Sequence, residues 1–165
     1  MSTIIETERL ILREFSAEDA RGMFELNNDP EVLRYTGDEP FLSETNAQQF
    51  IFNYDHYQRN GFGRWTCLLK PSSEYVGWCG LRYSEQSKEV DIGFRFMRQY
   101  WGRGLATEAA KACLKYGKEQ LGLQKIVGRA CRDNGASIRV LEKMGMQWDF
   151  DFEEDGLPWC QFVVT

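Results

Sequence analysis

The chain has 165 residues, with 20 Lys and Arg against 25 Asp and Glu, for a formal charge of −5. That length suits one domain spanning 1–165, since domains commonly run roughly 100–200 residues, and such a chain buries about 70% of its unfolded surface without needing metal or disulfide. Its 42% hydrophobic and 14% aromatic content excludes a disordered chain, no apolar run nears the ~20 residues of a membrane span, and the acidic balance runs against a general nucleic-acid binder.

Residues 4–14 alternate Ile5, Leu10 and Leu12 with charged neighbours, which predicts a strand. The same alternation lacks the continuous apolar stretch of a secretory leader. Ser16 is placed to cap a helix that carries Asp19 in its first turn, holds Leu26 near its end and breaks at Asp29-Pro30. A second helix is predicted from Ser43 to about Asn60, stopped by Gly61 and Gly63. Strands follow at 64–70 and 75–83, joined through Pro71-Ser-Ser73. In the next strand, 89–97, Val90, Ile92, Phe94 and Phe96 take one face, while Asp91, Gly93 and Arg95 take the other.

A helix from about Leu105 to Gln120 shows apolar residues at helical spacing and ends at Gly122. Strand 125–131, helix 134–144 and strands 147–153 and 158–164 complete the chain, the last two flanking Asp155-Gly156. The order β, α, α, β, β, β, α, β, α, β, β predicts an α/β (α+β) fold with a mixed sheet. It lacks the strict alternation and early G-x-G-x-x-G of a doubly wound dinucleotide fold.

The cysteines, Cys67, Cys79, Cys113, Cys131 and Cys160, are odd in number, form no CxxC and sit in apolar runs. Buried free thiols are expected, and with them a reducing, cytoplasmic setting. His56 is the single histidine. It lies in a polar helical stretch and is expected to be exposed, so no multi-His metal site is expected.

The segment Tyr100-Trp-Gly-Arg-Gly-Leu-Ala-Thr-Glu-Ala109 joins a strand to a helix. Gly102 and Gly104 permit positive φ and close backbone approach. The helix beyond them opens with free N–H groups and a partial positive charge, which suits a pyrophosphate. A plain turn would use the same glycines. After the next strand comes Asp133-Asn134-Gly-Ala-Ser137. Asn134 can cap the helix, and its amide can also meet a ligand containing amide bonds.

With these residues in view, the sequence resembles the GNAT superfamily of acyl-coenzyme-A-dependent N-acetyltransferases, and within it the branch typified by ribosomal-protein alanine and serine N-acetyltransferases. The similarity spans nearly the whole chain: Thr7-Glu-Arg-Leu-Ile-Leu-Arg13, Asp91-Ile-Gly-Phe94, Trp101-Gly-Arg-Gly-Leu-Ala-Thr-Glu-Ala109, Asn134-Gly-Ala-Ser137 and Glu142-Lys-Met-Gly145, in that order. The family motif Arg/Gln-x-x-Gly-x-Gly/Ala fits in two frames. Gln99-x-x-Gly102-x-Gly104 matches literally, while Trp101-x-x-Gly104-x-Ala106 is preferred because its turn has the branch's usual form.

The resemblance implies a mostly antiparallel central sheet, splayed at a cofactor cleft, with helices on both faces. It implies acetyl-coenzyme A as co-substrate and no metal. Pyrophosphate would meet the amides of Gly102, Arg103, Gly104, Leu105, Ala106 and Thr107. Pantetheine would pair with the backbone of Phe94, Arg95 and Phe96, and Asn134 would meet the cofactor's amides. The acceptor would be an amine, on a small molecule or a protein N-terminus, with no nucleic acid and no membrane; the chain would be a monomer or homodimer.

Amide formation from a thioester needs a neutral amine, a donor for the developing oxyanion and a donor for the thiolate. Asp91 is the candidate base and Glu89 the reserve; both also suit a solvent-facing strand. Many GNAT members set a tyrosine in the last helix toward the thiolate, where this chain has Leu141. The resembling branch uses the hydroxyl of Asn-x-x-Ser, which nominates Ser137. The run Asp149-Phe-Asp-Phe-Glu-Glu-Asp155 is read first as a strand with one wet face, second as an acidic rim for a cationic acceptor. A non-catalytic acyl-coenzyme-A-binding or interaction module on the same scaffold stays open.

Overall fold

A computed structural model describes residues 2–165. Eight strands form one sheet in the order β1-β2-β3-β4-β5-β6-β8-β7. The strands are β1 Thr3–Glu6, β2 Leu10–Arg13, β3 Arg64–Leu69, β4 Glu74–Ser84, β5 Glu89–Phe96, β6 Ile126–Cys131, β7 Gln147–Glu154 and β8 Leu157–Val164. Every neighbouring pair is antiparallel except β5–β6, which the long helix α5 (Leu105–Glu119) connects. Parallel neighbours need such a crossover, whereas antiparallel ones can be joined by a short turn.

The alternation on β4 to β6 decides what each face carries. Cys79, Leu81, Ile92, Ile126 and Ala130 pack with Leu105, Ala109 and Cys113 of α5 and Leu141 of α6 (Gly135–Lys143). On the opposite face a smaller cluster joins Phe15, Ala20, Met23 and Ala47 to Tyr75 and Trp78. Ala20 and Met23 belong to α1 (Ala20–Leu26), and Ala47 to α3 (Glu44–Asn53). The five cysteines are buried free thiols, as expected from their apolar surroundings.

Several boundaries differ from the sequence expectation. The first strand is a hairpin, β1 and β2, closed by Thr7 N donating to Leu10 O at 2.9 Å. The Ser16 helix starts as a 3-10 turn, with Ser16 and Asp19 in a reciprocal capping box. Pro30 begins a further short helix, α2 (Pro30–Leu33), because Asp29 caps it and Pro suits its first turn. The long helix expected from Ser43 is broken at Tyr54-Asp55 into α3 and α4 (His56–Asn60). The break lets two tyrosines dock on one strand residue: Tyr54 Oη accepts from Arg64 N at 2.9 Å, and Tyr57 Oη donates to Arg64 O.

His56 departs from its expected exposure. It is half-buried in the first turn of α4. Its Nε2 accepts from Tyr83 N at 2.9 Å, and Nδ1 lies 2.5 Å from Phe62 O, so Nδ1 carries the proton. β7 is wetter than expected: it is the sheet edge and is exposed on both faces.

Candidate active site

The sheet forks where β5 meets β6. Their ladder holds Asp91↔Val127 and Ile92↔Gly128, and beyond that the strands part. Gly93–Phe96 stay paired with β4 on one side and present a free edge on the other. The Phe96 carbonyl on this stretch accepts from Trp101 Nε1 at 2.8 Å. The Arg95 side chain points elsewhere, to Asn27 Oδ1 and Asp38 Oδ2, both at 2.6 Å. Only its backbone therefore belongs to the free edge.

A cleft of about 1350 Å³ runs from this fork to the head of α5. There Gly102 and Gly104 both have φ of +77°, a left-handed conformation that favours glycine. A Cβ at Gly102 would meet nothing within 4 Å, so the turn lies open. The first bond of α5 is Glu108 N to Gly104 O, which leaves the amides of Leu105, Ala106 and Thr107 without a helical partner. Aligned peptide dipoles add roughly half a positive charge there. Gly102, Gly104 and these three residues line the cleft; Arg103 does not. Its guanidinium lies 5.4 Å over the Tyr100 ring, and its carbonyl accepts from Arg9 Nη1 at 2.8 Å.

Glu108, which the sequence reading left without a role, pins this turn to the β1–β2 hairpin. It accepts from Thr7 Oγ1 at 2.6 Å, Arg9 N at 2.9 Å and Arg9 Nε at 2.7 Å. Burial disfavours its charge, but the Thr7 and Arg9 hydrogen bonds outweigh that and hold it below the usual carboxylate range. The sequence signal was a first-turn acid matched by Thr7 and Arg9 in the other quoted motif; their 99- and 101-residue separation hid the pairing.

Asn134 caps α6, its Oδ1 accepting from Ser137 N at 3.2 Å. Among the described residues its Nδ2 and the Ser137 Oγ make no hydrogen bond, and both residues line the cleft. Leu141 is 1% exposed and packs in the core, so this position offers no hydroxyl to the cleft. The α6 turn facing the cleft offers Ser137 and Val140 instead.

The floor beside the fork is ionic. Register sets Arg82 of β4 opposite Asp91 of β5, and Gly80 of β4 opposite Arg64 of β3. Asp91 Oδ1 lies 2.8 Å from Arg64 Nη2, and Oδ2 lies 2.9 Å from Arg82 Nη2. Gly93 permits this, because a Cβ there would stand 2.5 Å from Arg64 Nη2. Burial pushes the Asp91 carboxyl up, yet the two guanidiniums outweigh it and hold it below the ordinary range. Asp91 is thus buried, not solvent-facing. A carboxylate held this low and shared by two cations is a weak proton acceptor, so the base role expected of it does not follow from its surroundings. Glu89 lies outside the cleft, 2.9 Å from Lys125 Nζ and 3.5 Å from Arg129 Nη2. Among the described residues no three His, Cys, Asp or Glu side chains converge on a metal position, and no helix is long and apolar enough to cross a membrane.

Residues 9–147 match the Acetyltransferase (GNAT) domain family. The chain belongs to the GNAT acetyltransferase family. It is an N-acetyltransferase, an acyltransferase that acts on amines. It is 32% identical over 143 residues to the uncharacterized N-acetyltransferase p20 of Bacillus licheniformis, covering 86% of this chain and 80% of that one. Its fold matches the crystal structure of a GNAT-family acetyltransferase from Bacillus anthracis with a TM-score of 0.83 at 26% identity, over 97% and 96% of the two chains. A spermidine N-acetyltransferase from Vibrio cholerae, solved with CoA and spermine, has the same fold at a TM-score of 0.81 and 18% identity, over 96% of each chain. Members of this GNAT family use acetyl-coenzyme A.

Proposed function

We propose that this chain acetylates a primary amine by direct attack in a ternary complex with acetyl-coenzyme A, the two substrates meeting where β5 and β6 part. One observation carries the reading: the free edge of Gly93–Phe96 and the free amides of Leu105–Thr107 border a single cleft. The open turn at Gly102 and Gly104 and the amides after it fit a pyrophosphate. The edge of Phe94 to Phe96, apart from the Phe96 carbonyl that Trp101 occupies, fits amide groups laid alongside as an added strand. Asn134 Nδ2 can donate to a ligand carbonyl while Oδ1 keeps its cap.

When bound, acetyl-coenzyme A supplies a thioester whose carbonyl carbon forms the new C–N bond as the C–S bond breaks. Ser137 Oγ donates to the departing thiolate. Arg64, Arg82 and Asp91 together carry one surplus positive charge. That surplus disfavours an ammonium nearby, so the floor promotes the neutral amine and its proton leaves to water. Asp91 then acts as a positioning residue that holds Arg82, and Glu89 orders Lys125 and Arg129. The five buried thiols support a reducing, cytoplasmic setting. Similarity supports an amine acceptor, on a small molecule or a protein N-terminus.

Thiol release measured over amines and peptide N-termini, beside calorimetry of acetyl-coenzyme A, tests this reading. Binding without release by any acceptor would favour an acyl-coenzyme-A-binding module.

A further inference from the structure

The ionic floor holds more positive charge than it uses. Arg64 is spent: Nη1 donates to Gly80 O at 2.8 Å and Asp91 O at 3.0 Å, and Nη2 to Asp91 Oδ1. Asp91 is spent too, with one guanidinium on each oxygen. Arg82 gives a single N–H to Asp91 Oδ2. The rest of its guanidinium makes no hydrogen bond among the described residues, and its side chain is 53% exposed in the cleft.

The position of this unused fork matters as much as its charge. Arg82 sits opposite Asp91, the residue where the β5–β6 ladder is still closed, and Ile92 is the last paired position before the fork. An amine reaching a thioester at the fork brings its nearest substituents against Arg82. Arginine's planar fork matches a carboxylate through two parallel hydrogen bonds. A polyamine would bring a further cation to a floor already one charge positive, which costs free energy. Besides Asp91, the acidic residues Glu31, Asp38, Glu39, Asp133, Glu154 and Asp155 also line the cleft. Among the described residues none of these six pairs with Arg82, whose recorded carboxylate partner is Asp91.

We propose that Arg82 is a specificity-determining residue that receives a carboxylate of the acceptor, so that the acceptor is an amine bearing a carboxylate a few bonds away. This rests on the acetyl-transfer reading above. The shared chemistry has two sources: the α-carboxylate of a free amino acid, or the side chain of an acidic residue at a peptide N-terminus. Asp91 keeps the Arg82 fork in place by fixing one of its nitrogens.

The test is thiol release from acetyl-coenzyme A with matched acceptors that differ in one carboxylate. Free amino acids are set beside their amides, and peptides beginning with Asp or Glu beside those beginning with Asn or Gln, with spermidine as the cationic control. Wild-type enzyme is expected to favour the carboxylate member of one pair roughly tenfold or more in kcat/KM, as a hydrogen-bonded ion pair would give. The pair that shows the preference names the source. In Arg82→Gln the preference falls toward one, and in Arg82→Lys, which keeps charge without the fork, it lies between. Calorimetric affinity for acetyl-coenzyme A stays within about twofold in both, which also reports that the variants fold. Equal or better use of the amides or of spermidine by wild type overturns the proposal, as does a preference that survives in Arg82→Gln. Absence of acetyl-coenzyme A binding by wild type would overturn the acetyl-transfer reading itself, a result the calorimetry separates from a failed carboxylate preference.

Discussion

At the head of α5 the groups facing the cleft are backbone amides of consecutive residues, Leu105 to Thr107, whereas around Asp91 they are side chains drawn from β3, β4 and β5. The first arrangement is fixed by helix geometry and two glycines. It tolerates most side chains that do not put bulk or negative charge in the turn. The second exists only through strand register, and each member depends on the others: removing Asp91 leaves two guanidiniums facing each other. One end of the cleft is therefore suited to a constant ligand, and the other to a selected one.

The largest expected effect breaks the backbone end. Gly104→Glu puts a side chain at φ of +77° and a carboxylate beside the free amides. A like charge set against a phosphate costs several kcal/mol, roughly a hundredfold or more in affinity. Calorimetry of the folded variant with acetyl-coenzyme A should show that loss. An unchanged affinity would move the pyrophosphate elsewhere and remove the contrast between the two ends.

Asp91→Asn breaks the side-chain end, and about 3 kcal/mol of stability should go with it, since uncompensated buried charges remain. The pH dependence has a definite sign. The Arg64 and Arg82 guanidiniums outweigh burial and hold the folded-state pKa of Asp91 below the ordinary carboxylate range. Its stabilisation is present above its unfolded value and is lost as pH falls through the folded one. Urea titrations through that acid range should show wild type losing this increment and Asp91→Asn lacking it. In kinetics, removing one negative charge should move the acidic limb of the pH–rate profile to lower pH, because the floor becomes more positive toward the amine. Loss of ~10²–10⁴ in rate with the limb abolished would instead make Asp91 the general base. If Glu89→Gln alone abolished the limb, the base would be Glu89.

The two ends also differ in how far the sequence exposes them. The glycine turn at the head of α5 was readable because its parts are contiguous: Trp101-Gly-Arg-Gly104 followed by a helix is a local pattern. The strand faces were equally readable, and the alternation of β5 put Asp91, Gly93 and Arg95 together as found. What stayed hidden depends on contacts between distant segments. Arg64 reaches Asp91 across 27 residues, and Arg82 reaches it through the β4–β5 hairpin register, which strand alternation alone does not fix. The break at Tyr54 follows from where its hydroxyl docks, and the engaged ring of His56 from Tyr83 and Phe62 meeting it. Propensity treated both as ordinary helix residues.

Ser137→Ala sharpens the comparison, because the hydroxyl is the one side-chain group at the α6 end proposed to act on reacting atoms. A hydrogen bond to a charged partner contributes about 1.5–3 kcal/mol, so kcat should fall roughly 10- to 100-fold. Acetyl-coenzyme A affinity should stay close to wild type, because the Asn134 cap uses the Ser137 backbone and not its hydroxyl. An unchanged single-turnover rate would remove Ser137 from the chemistry.

The smallest effect is expected at Asn134, where backbone and side-chain roles meet in one residue. Its Oδ1 holds the α6 amide of Ser137, its Nδ2 makes no hydrogen bond among the described residues, and the residue lines the cleft. Asn134→Ala removes both, at a cap cost of about 0.5–2 kcal/mol in stability. Asn134→Asp separates them: a carboxylate still caps the helix and is favoured at its positive end, but it has no N–H to give. If Nδ2 meets the cofactor, Asn134→Asp should melt near wild type while its acetyl-coenzyme A affinity falls as far as that of Asn134→Ala. If Asn134 is a cap alone, Asn134→Ala lowers the melting temperature, Asn134→Asp restores it, and both bind acetyl-coenzyme A as wild type does. The second outcome would leave the backbone of β5 and the head of α5 to hold the cofactor, with no side chain of α6 taking part in binding.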